Sequence, residues 1–139
     1  MRPLEAIEAD IERLRPAGCA PLDAARALLA LAEETLEHWI AAHGSAPTRE
    51  TREGFRLLAL HRQGAREDPS FNACRETCRE AVYHHNLIAA APDSIEAPRH
   101  AQLMAMVVMH LFLFVSGKLE NARLGEFCCS ARPLHAHTV

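Results

Sequence analysis

The chain has 139 residues, of which 49% are apolar and 24% charged, and its net charge is −3 at neutral pH. The length fits one domain that can bury its own core, and the composition is that of an ordinary globular protein. The negative charge argues against a nucleic-acid scaffold, which usually carries a basic excess.

Signals for export and for a disulfide framework are also missing. The N-terminal residues interrupt their apolar side chains with acidic ones and contain no signal-peptide core. The five cysteines are an odd number, and a chain of this length needs no disulfides to fold. We therefore expect a cytoplasmic protein with reduced thiols.

Five segments carry helical periodicity, and none alternates convincingly with period two. The first, at about residues 3 to 15, places Leu4, Ile7, Ile11 and Leu14 at heptad spacing. So narrow an apolar stripe predicts a peripheral helix or one side of a two-helix seam.

The second and third helices are bounded by proline and glycine. The second is predicted to begin near Pro21 and to stop at Gly44, because proline favours the first helical position and glycine the end. The third is shorter, carries Phe55 and Leu58 on its inner face, and is predicted to end near Gly64.

The fourth helix is predicted to begin at Asp68, which can cap it while Pro69 takes the first helical position. One stripe of this helix consists of Phe71, Cys74, Cys78, Val82, His85 and Ala89. Since consecutive residues lie about 100° apart, only one of His84 and His85 can face the core. The apolar stripe predicts that His85 faces the core and that His84 faces outward.

The fifth segment, residues 103 to 115, is apolar at every position except His110. A membrane span needs about 20 apolar residues, so we expect no membrane crossing. A helix that is apolar on all sides must be covered on all sides. We therefore expect it to be the central helix of a bundle or to lie against a second subunit.

Together these segments predict an all-α fold. The expected arrangement is an up-and-down bundle of four principal helices with a peripheral N-terminal helix, because the connections are short. Residues 1–127 are assigned to one helical-bundle domain, and residues 128–139 to an irregular C-terminal tail.

The sequence carries none of the standard catalytic signatures. Phosphate loops, dinucleotide fingerprints, nucleophile elbows, zinc-protease motifs and Cys-x-x-Cys pairs are absent, as are the Glu-x-x-His pairs of di-iron bundles. We therefore lean towards a protein that is not an enzyme.

Two groups of residues could bind a metal ion. Cys74 and Cys78 lie four residues apart on the fourth helix, so two thiolates could share one zinc ion. The competing interpretation, which we favour, is that both thiols fill the core as small apolar side chains. The second group lies in the tail and consists of Cys128, Cys129, His135 and His137. For this group too we favour the alternative without a metal, namely a loose terminus that happens to contain these residues.

His110 and His85 are the candidate cofactor ligands. A buried imidazole needs a hydrogen-bond partner, and His85, Thr35 and Glu33 are the candidates for His110. In the functional interpretation His110 ligates a haem or a metal inside a pocket of Phe and Met side chains. In the competing one it is a core histidine bonded to a neighbour.

Three classes of function remain. The first, which we adopt, is a non-enzymatic interaction or regulatory module that forms a homodimer or binds another protein through its helical surfaces. The second is a zinc- or haem-binding protein built on the residues above. The third is an enzyme whose site is assembled from scattered residues such as His85, His110 and Glu33, since fold alone does not exclude one.

Overall fold

The computed structural model describes residues 1–16 and 18–122. Within these ranges the chain is all-α and has no β-strand, which confirms the predicted fold class. The elements in chain order are α1 (Leu4–Leu14), α2 (Pro21–Ala42), α3 (Arg56–Glu67), a short 3₁₀-helix (Pro69–Cys74), α4 (Arg75–Ala90) and α5 (Ala97–Asn121).

Three long helices, α2, α4 and α5, pack against one another and form the centre of the fold. α1 lies against α2 and α5, and α3 lies against α2 and α4. α2 is therefore the helix that contacts all four others. It is α2, rather than the more apolar α5, that occupies the central position.

α1 is peripheral and buries one narrow stripe, as its heptad spacing predicts. Leu4, Ile7 and Ile11 are buried where α1 meets α2 and α5. The guanidinium of Arg2 also donates to both carboxylate oxygens of Glu34 on α2, at 2.8 and 2.9 Å. Because exposed ion pairs contribute only about 0–1 kcal/mol, the apolar stripe contributes most of the attachment.

Trp39 and Phe71 form the aromatic centre of the core, with stacked rings whose centroids are 4.7 Å apart. Gly64 on α3 faces both rings, and a β-carbon built on it would lie 3.0 Å from atoms of each. Glycine fits this close approach because a β-carbon here would press against both rings. The prediction that the third helix ends near Gly64 is wrong, since α3 continues to Glu67.

The entry into α4 differs from the prediction. Asp68 does cap the segment, because its side chain accepts a hydrogen bond from the amide of Ser70 at 3.0 Å. The residues that follow form the 3₁₀-helix, and α4 begins only at Arg75. This tighter winding leads into α4 with both Phe71 and Cys74 buried.

α5 has 25 residues and is, by length and composition alone, the one helix among the described residues that could cross a membrane. In the structure it packs on α1, α2 and α4 and buries residues along its whole length. One side of α5 faces away from all three helices. Of the two expectations for α5, a central helix covered on every side within one bundle is therefore wrong, and cover by a second subunit stays a prediction.

Candidate functional site

A strip of uncharged side chains runs along the side of α5 that faces away from the bundle, and we call it the outward face of α5. From Leu103 onward its members recur every three or four positions and so share one side of the helix, and Gln102 precedes Met106 by four positions. They are Gln102, Leu103, Met106, His110, Leu113 and Gly117. Met106 is 56% exposed and Leu113 is 55% exposed. Two large apolar side chains are therefore open to solvent, two helical turns apart.

His110 lies on this outward face and is exposed, so its expected burial in the core is wrong. The apolar run was misleading because Met106 and Leu113, which share its face, are themselves exposed. Met109 and Phe112 are buried on other sides of the helix and form no pocket around the imidazole. The hypothesis that His110 ligates a haem or a metal assumed a buried apolar pocket, and the structure shows no such pocket around this residue.

The core side of α4 carries His84 rather than His85, which corrects the predicted orientation. His84 is 8% exposed, and its ring centroid lies 5.6 Å from that of His100 on α5. His85 is half-buried, with the ring of Phe55 edge-on at 5.4 Å. α5 covers the side of α4 that carries His84, whereas His85 lies towards the loop before α3. Which of the two histidines is buried therefore depends on the side of α4 that α5 covers and not on the apolar stripe.

The His84–His100 pair is a buried polar contact between α4 and α5. The Nδ1 atoms of both rings are buried and have no hydrogen-bond partner among the described residues. Burial lowers the pKa of His84, the Glu80 carboxylate opposes this effect, and His100 adds to it. Protonation of His84 is therefore less favourable in the folded chain than in the unfolded one.

Cys74 and Cys78 are both buried, as core-filling side chains would be. The thiol of Cys74 donates to the carbonyl oxygen of Phe71 at 3.2 Å, and Nε2 of His61 donates to the same oxygen at 3.1 Å. A hydrogen bond from Cys78 lowers the pKa of Cys74 to about 6, burial opposes this, and His61 lowers it further. The same contact and burial raise the pKa of Cys78. The pair thus favours a state in which Cys78 keeps its proton.

The described residues offer no complete metal site. In residues 1–16 and 18–122, no group of three or more His, Cys, Asp or Glu side chains could hold a metal ion. Cys74 and Cys78 therefore lack, within these ranges, the further ligands of a four-coordinate zinc site. The second predicted group lies outside the described residues: Cys128, Cys129, His135 and His137.

The residues named for a scattered enzymatic site have separate surroundings. Glu33 on α2 pairs with Arg56 at 3.6 Å, and burial raises its pKa. His85 contacts Phe55, and His110 lies on the outward face of α5. Catalytic groups must lie within hydrogen-bond reach of one another or of one substrate, and no contact joins these three.

Comparison with known proteins adds no functional assignment. The chain matches no family model, no curated protein and no solved structure. Function must therefore be argued from the surfaces and clusters of this chain alone.

Proposed function

We propose that the chain is a non-enzymatic interaction module that forms a homodimer through the outward face of α5. The observation that carries the proposal is the exposure of Met106 and Leu113 on one uncharged strip. Contiguous apolar surface on a protein commonly marks an interaction site, because its contact with water is unfavourable. Covering this strip would remove from solvent the two large apolar side chains of α5 that are exposed.

The strip has the dimensions of a small helix–helix contact. From Gln102 to Gly117, α5 rises about 22 Å at 1.5 Å per residue. Nothing lies within 4 Å of a β-carbon built on Gly117, so a second helix can approach closely at that end. A strip about 22 Å by 10 Å is well below the roughly 800 Å² per partner of a standard interface. We therefore expect a dimer in reversible exchange with the monomer at micromolar concentrations.

A second copy of the chain is the occupant that we favour. Two-fold symmetry brings the same patch of both copies together, and a strip that contains no Asp, Glu, Lys or Arg can pair with itself without repulsion between such charges. A strongly charged partner finds no complementary group on this face. If the two α5 helices run antiparallel, His110 lies near the symmetry axis because it is in the middle of the strip. Met106 then meets Leu113 of the partner subunit.

Light scattering of the full chain over a range of micromolar concentrations tests the proposal. The mass is expected to rise from that of one chain towards that of two. The double variant Met106→Glu/Leu113→Glu should remain monomeric, because it places charges on the strip. Tyr83→Glu/Ile95→Glu is the matched control, since both of its side chains are exposed and apolar but lie off the strip.

Two outcomes would overturn the proposal. One is a wild-type mass that stays that of a single chain when the concentration is raised about tenfold, well into the micromolar range. The other is equal loss of association in the strip variant and in the control. Val108 and Phe112 are unsuitable for this test because both are buried, so a charge there would unfold the chain.

A lipid surface is the competing occupant, because α5 has the length and composition of a membrane span. Sedimentation with zwitterionic and with anionic vesicles separates the two cases. The chain is expected to stay in the supernatant with both kinds of vesicle. Vesicle binding that Met106→Glu/Leu113→Glu abolishes, with no dimer in solution, would replace the second copy by a membrane.

A cytoplasmic location is part of the same proposal. Cys19, Cys74 and Cys78 are free thiols, the usual state of cysteine in a reducing compartment. Alkylation under denaturing conditions, applied directly to freshly lysed cells, should label these thiols without prior reduction, and thiols that label only after reduction would contradict the assignment.

A further inference from the structure

A groove of about 250 Å³ lies beside α3, between the turn that precedes this helix and the 3₁₀-helix that follows it. Its charged lining consists of Arg52, Arg62, Arg66 and Arg75, and no carboxylate lines it. We call it the arginine groove. A second cleft of about 250 Å³ adjoins it and shares three of these arginines, and one carboxylate, that of Glu50, also lines this second cleft. The chain as a whole has a net charge of −3, whereas the four arginines make the surface around this groove locally positive.

Two of the four arginines have no anionic partner among the residues that the structure describes. Arg62 and Arg66 form no ion pair within residues 1–16 and 18–122. Arg52 and Arg75 lie 3.9 and 3.6 Å from the carboxylates of the residues that follow them. These distances exceed the roughly 2.7–2.9 Å of a charge-assisted hydrogen bond. The groove therefore holds guanidinium groups whose hydrogen-bonding capacity is largely unused.

The backbone around the groove is held by contacts other than those of the two unpaired arginines. Gln63 on α3 accepts a hydrogen bond from the amide of Thr48 at 2.8 Å and donates another to the backbone of the same loop. Glu53, whose φ is 55°, receives two hydrogen bonds from the guanidinium of Arg79, at 2.9 and 3.0 Å. The turn that carries Arg52 is thereby fixed to α4. The backbone positions that carry the four exposed arginines are therefore set before any ligand arrives, which lowers part of the entropic cost of binding.

A buried histidine and apolar side chains form the base of the groove. His61 is 5% exposed, and its Nε2 donates to the carbonyl oxygen of Phe71, which fixes the ring. Leu58 and Ala65 complete this base. Convergent polar groups above an apolar base are typical of small-molecule sites.

We infer that the arginine groove binds a compact polyanion of the phosphate type, such as a diphosphate or a small phosphate ester. Guanidinium groups match phosphate oxygens in bidentate geometry, and the spacing of Arg62 and Arg66 places both on one side of α3. A single carboxylate carries one charge and would leave most of the guanidinium groups unpaired. The volume also lies below the roughly 300–1,000 Å³ of pockets for larger ligands. The inference is independent of α5 and of the proposed dimer.

Isothermal calorimetry on the full chain, at constant ionic strength, tests this site with three probes: orthophosphate, pyrophosphate and glycerol phosphate. Pyrophosphate is expected to bind saturably and to raise the melting temperature. Arg62→Gln/Arg66→Gln should weaken binding by about ten- to a hundredfold, the usual effect of losing charged hydrogen bonds. Tighter binding of glycerol phosphate than of orthophosphate points to an ester ligand, and the reverse points to a free oxyanion.

The matched control is Arg26→Gln/Arg99→Gln, which removes two exposed arginines outside the groove and so changes the net charge equally. This variant should keep the wild-type affinity within about twofold, because screened long-range charge contributes little. Circular dichroism of both double variants checks that they are folded. Absence of saturable binding by all three probes would overturn the inference. So would equal weakening of pyrophosphate binding in both double variants.

Discussion

Replacing Gly64 by alanine tests how closely α3 approaches the aromatic centre of the core. A β-carbon at this position would lie 3.0 Å from ring atoms of Trp39 and of Phe71, whereas carbon atoms in contact prefer about 3.5–4.0 Å. Both rings are buried and stacked, so neither can turn into solvent. The methyl group must displace α3 or the rings, which costs about 1–3 kcal/mol of unfolding free energy.

An opposite effect reduces this cost. Inside a helix, alanine is more favourable than glycine by roughly 0.5–1 kcal/mol, because glycine loses more backbone entropy on folding. For Gly64→Ala we therefore expect a net loss of unfolding free energy of up to roughly 2.5 kcal/mol. Gly117→Ala is the matched control, since Gly117 is also helical and nothing lies within 4 Å of its built β-carbon. It should be stabilised by roughly 0.5–1 kcal/mol.

Urea denaturation followed by circular dichroism gives both free energies. Both variants should be measured at one low protein concentration, because Gly117 lies on the outward face of α5 and association adds to stability. The difference between the variants isolates the steric cost. If Gly64→Ala stabilises the chain as much as Gly117→Ala does, the close contact between α3 and the aromatic rings is refuted.

The remaining predictions concern α5, α4 and the thiols. Leu111 is buried, so Leu111→Ala should cost about 2–5 kcal/mol of unfolding free energy. Leu113 is exposed, so Leu113→Ala should cost under about 0.5 kcal/mol. Equal losses on urea denaturation would contradict the assigned buried and exposed faces of α5. Burial keeps the pKa of His84 below its unfolded value, so the unfolded chain gains protons first and stability should fall as the pH drops below about 6.5. His84→Gln should reduce the dependence of unfolding free energy on pH, to which one proton contributes at most about 1.4 kcal/mol per pH unit. If denaturation at pH 5 to 7 shows the same dependence in this variant, other groups cause it. Alkylation and peptide mapping should find the exposed Cys19 labelled rapidly and the buried Cys74 labelled only on unfolding, and equal rates would contradict that burial.

Local signals in the sequence predict much of the helical organisation. The heptad spacing identifies the buried stripe of α1, Pro21 begins α2, and Asp68 caps the segment before α4. These features succeed because they depend on contacts within a few residues of one another. Gly64 shows the limit: its role depends on Trp39, which is distant in sequence, so its place as a helix end was the wrong interpretation.

The choice of buried face depends on which helix covers another, and periodicity carries little of that information. α5 is apolar around its circumference, so its pattern could not show that His110 and Leu113 lie on an open side. On α4, the apolar stripe favours His85, but α5 covers His84. The arginine groove is assembled from the turn before α3, from α3 itself and from the start of α4. No spacing within one segment connects Arg52 with Arg75.

The methyl group of Met106 offers the most direct test of the proposed dimer contact. Other methionines serve as internal references, since Met1 is exposed and Met104 is buried. With methyl-labelled methionine and a soluble paramagnetic agent, the relaxation rate of each methyl group reports its access to solvent. In concentrated solution we predict that Met106 is protected nearly as well as Met104, and that dilution exposes it. If Met106 relaxes as readily as Met1 at every concentration, the outward face of α5 is open to solvent and the proposed contact does not exist.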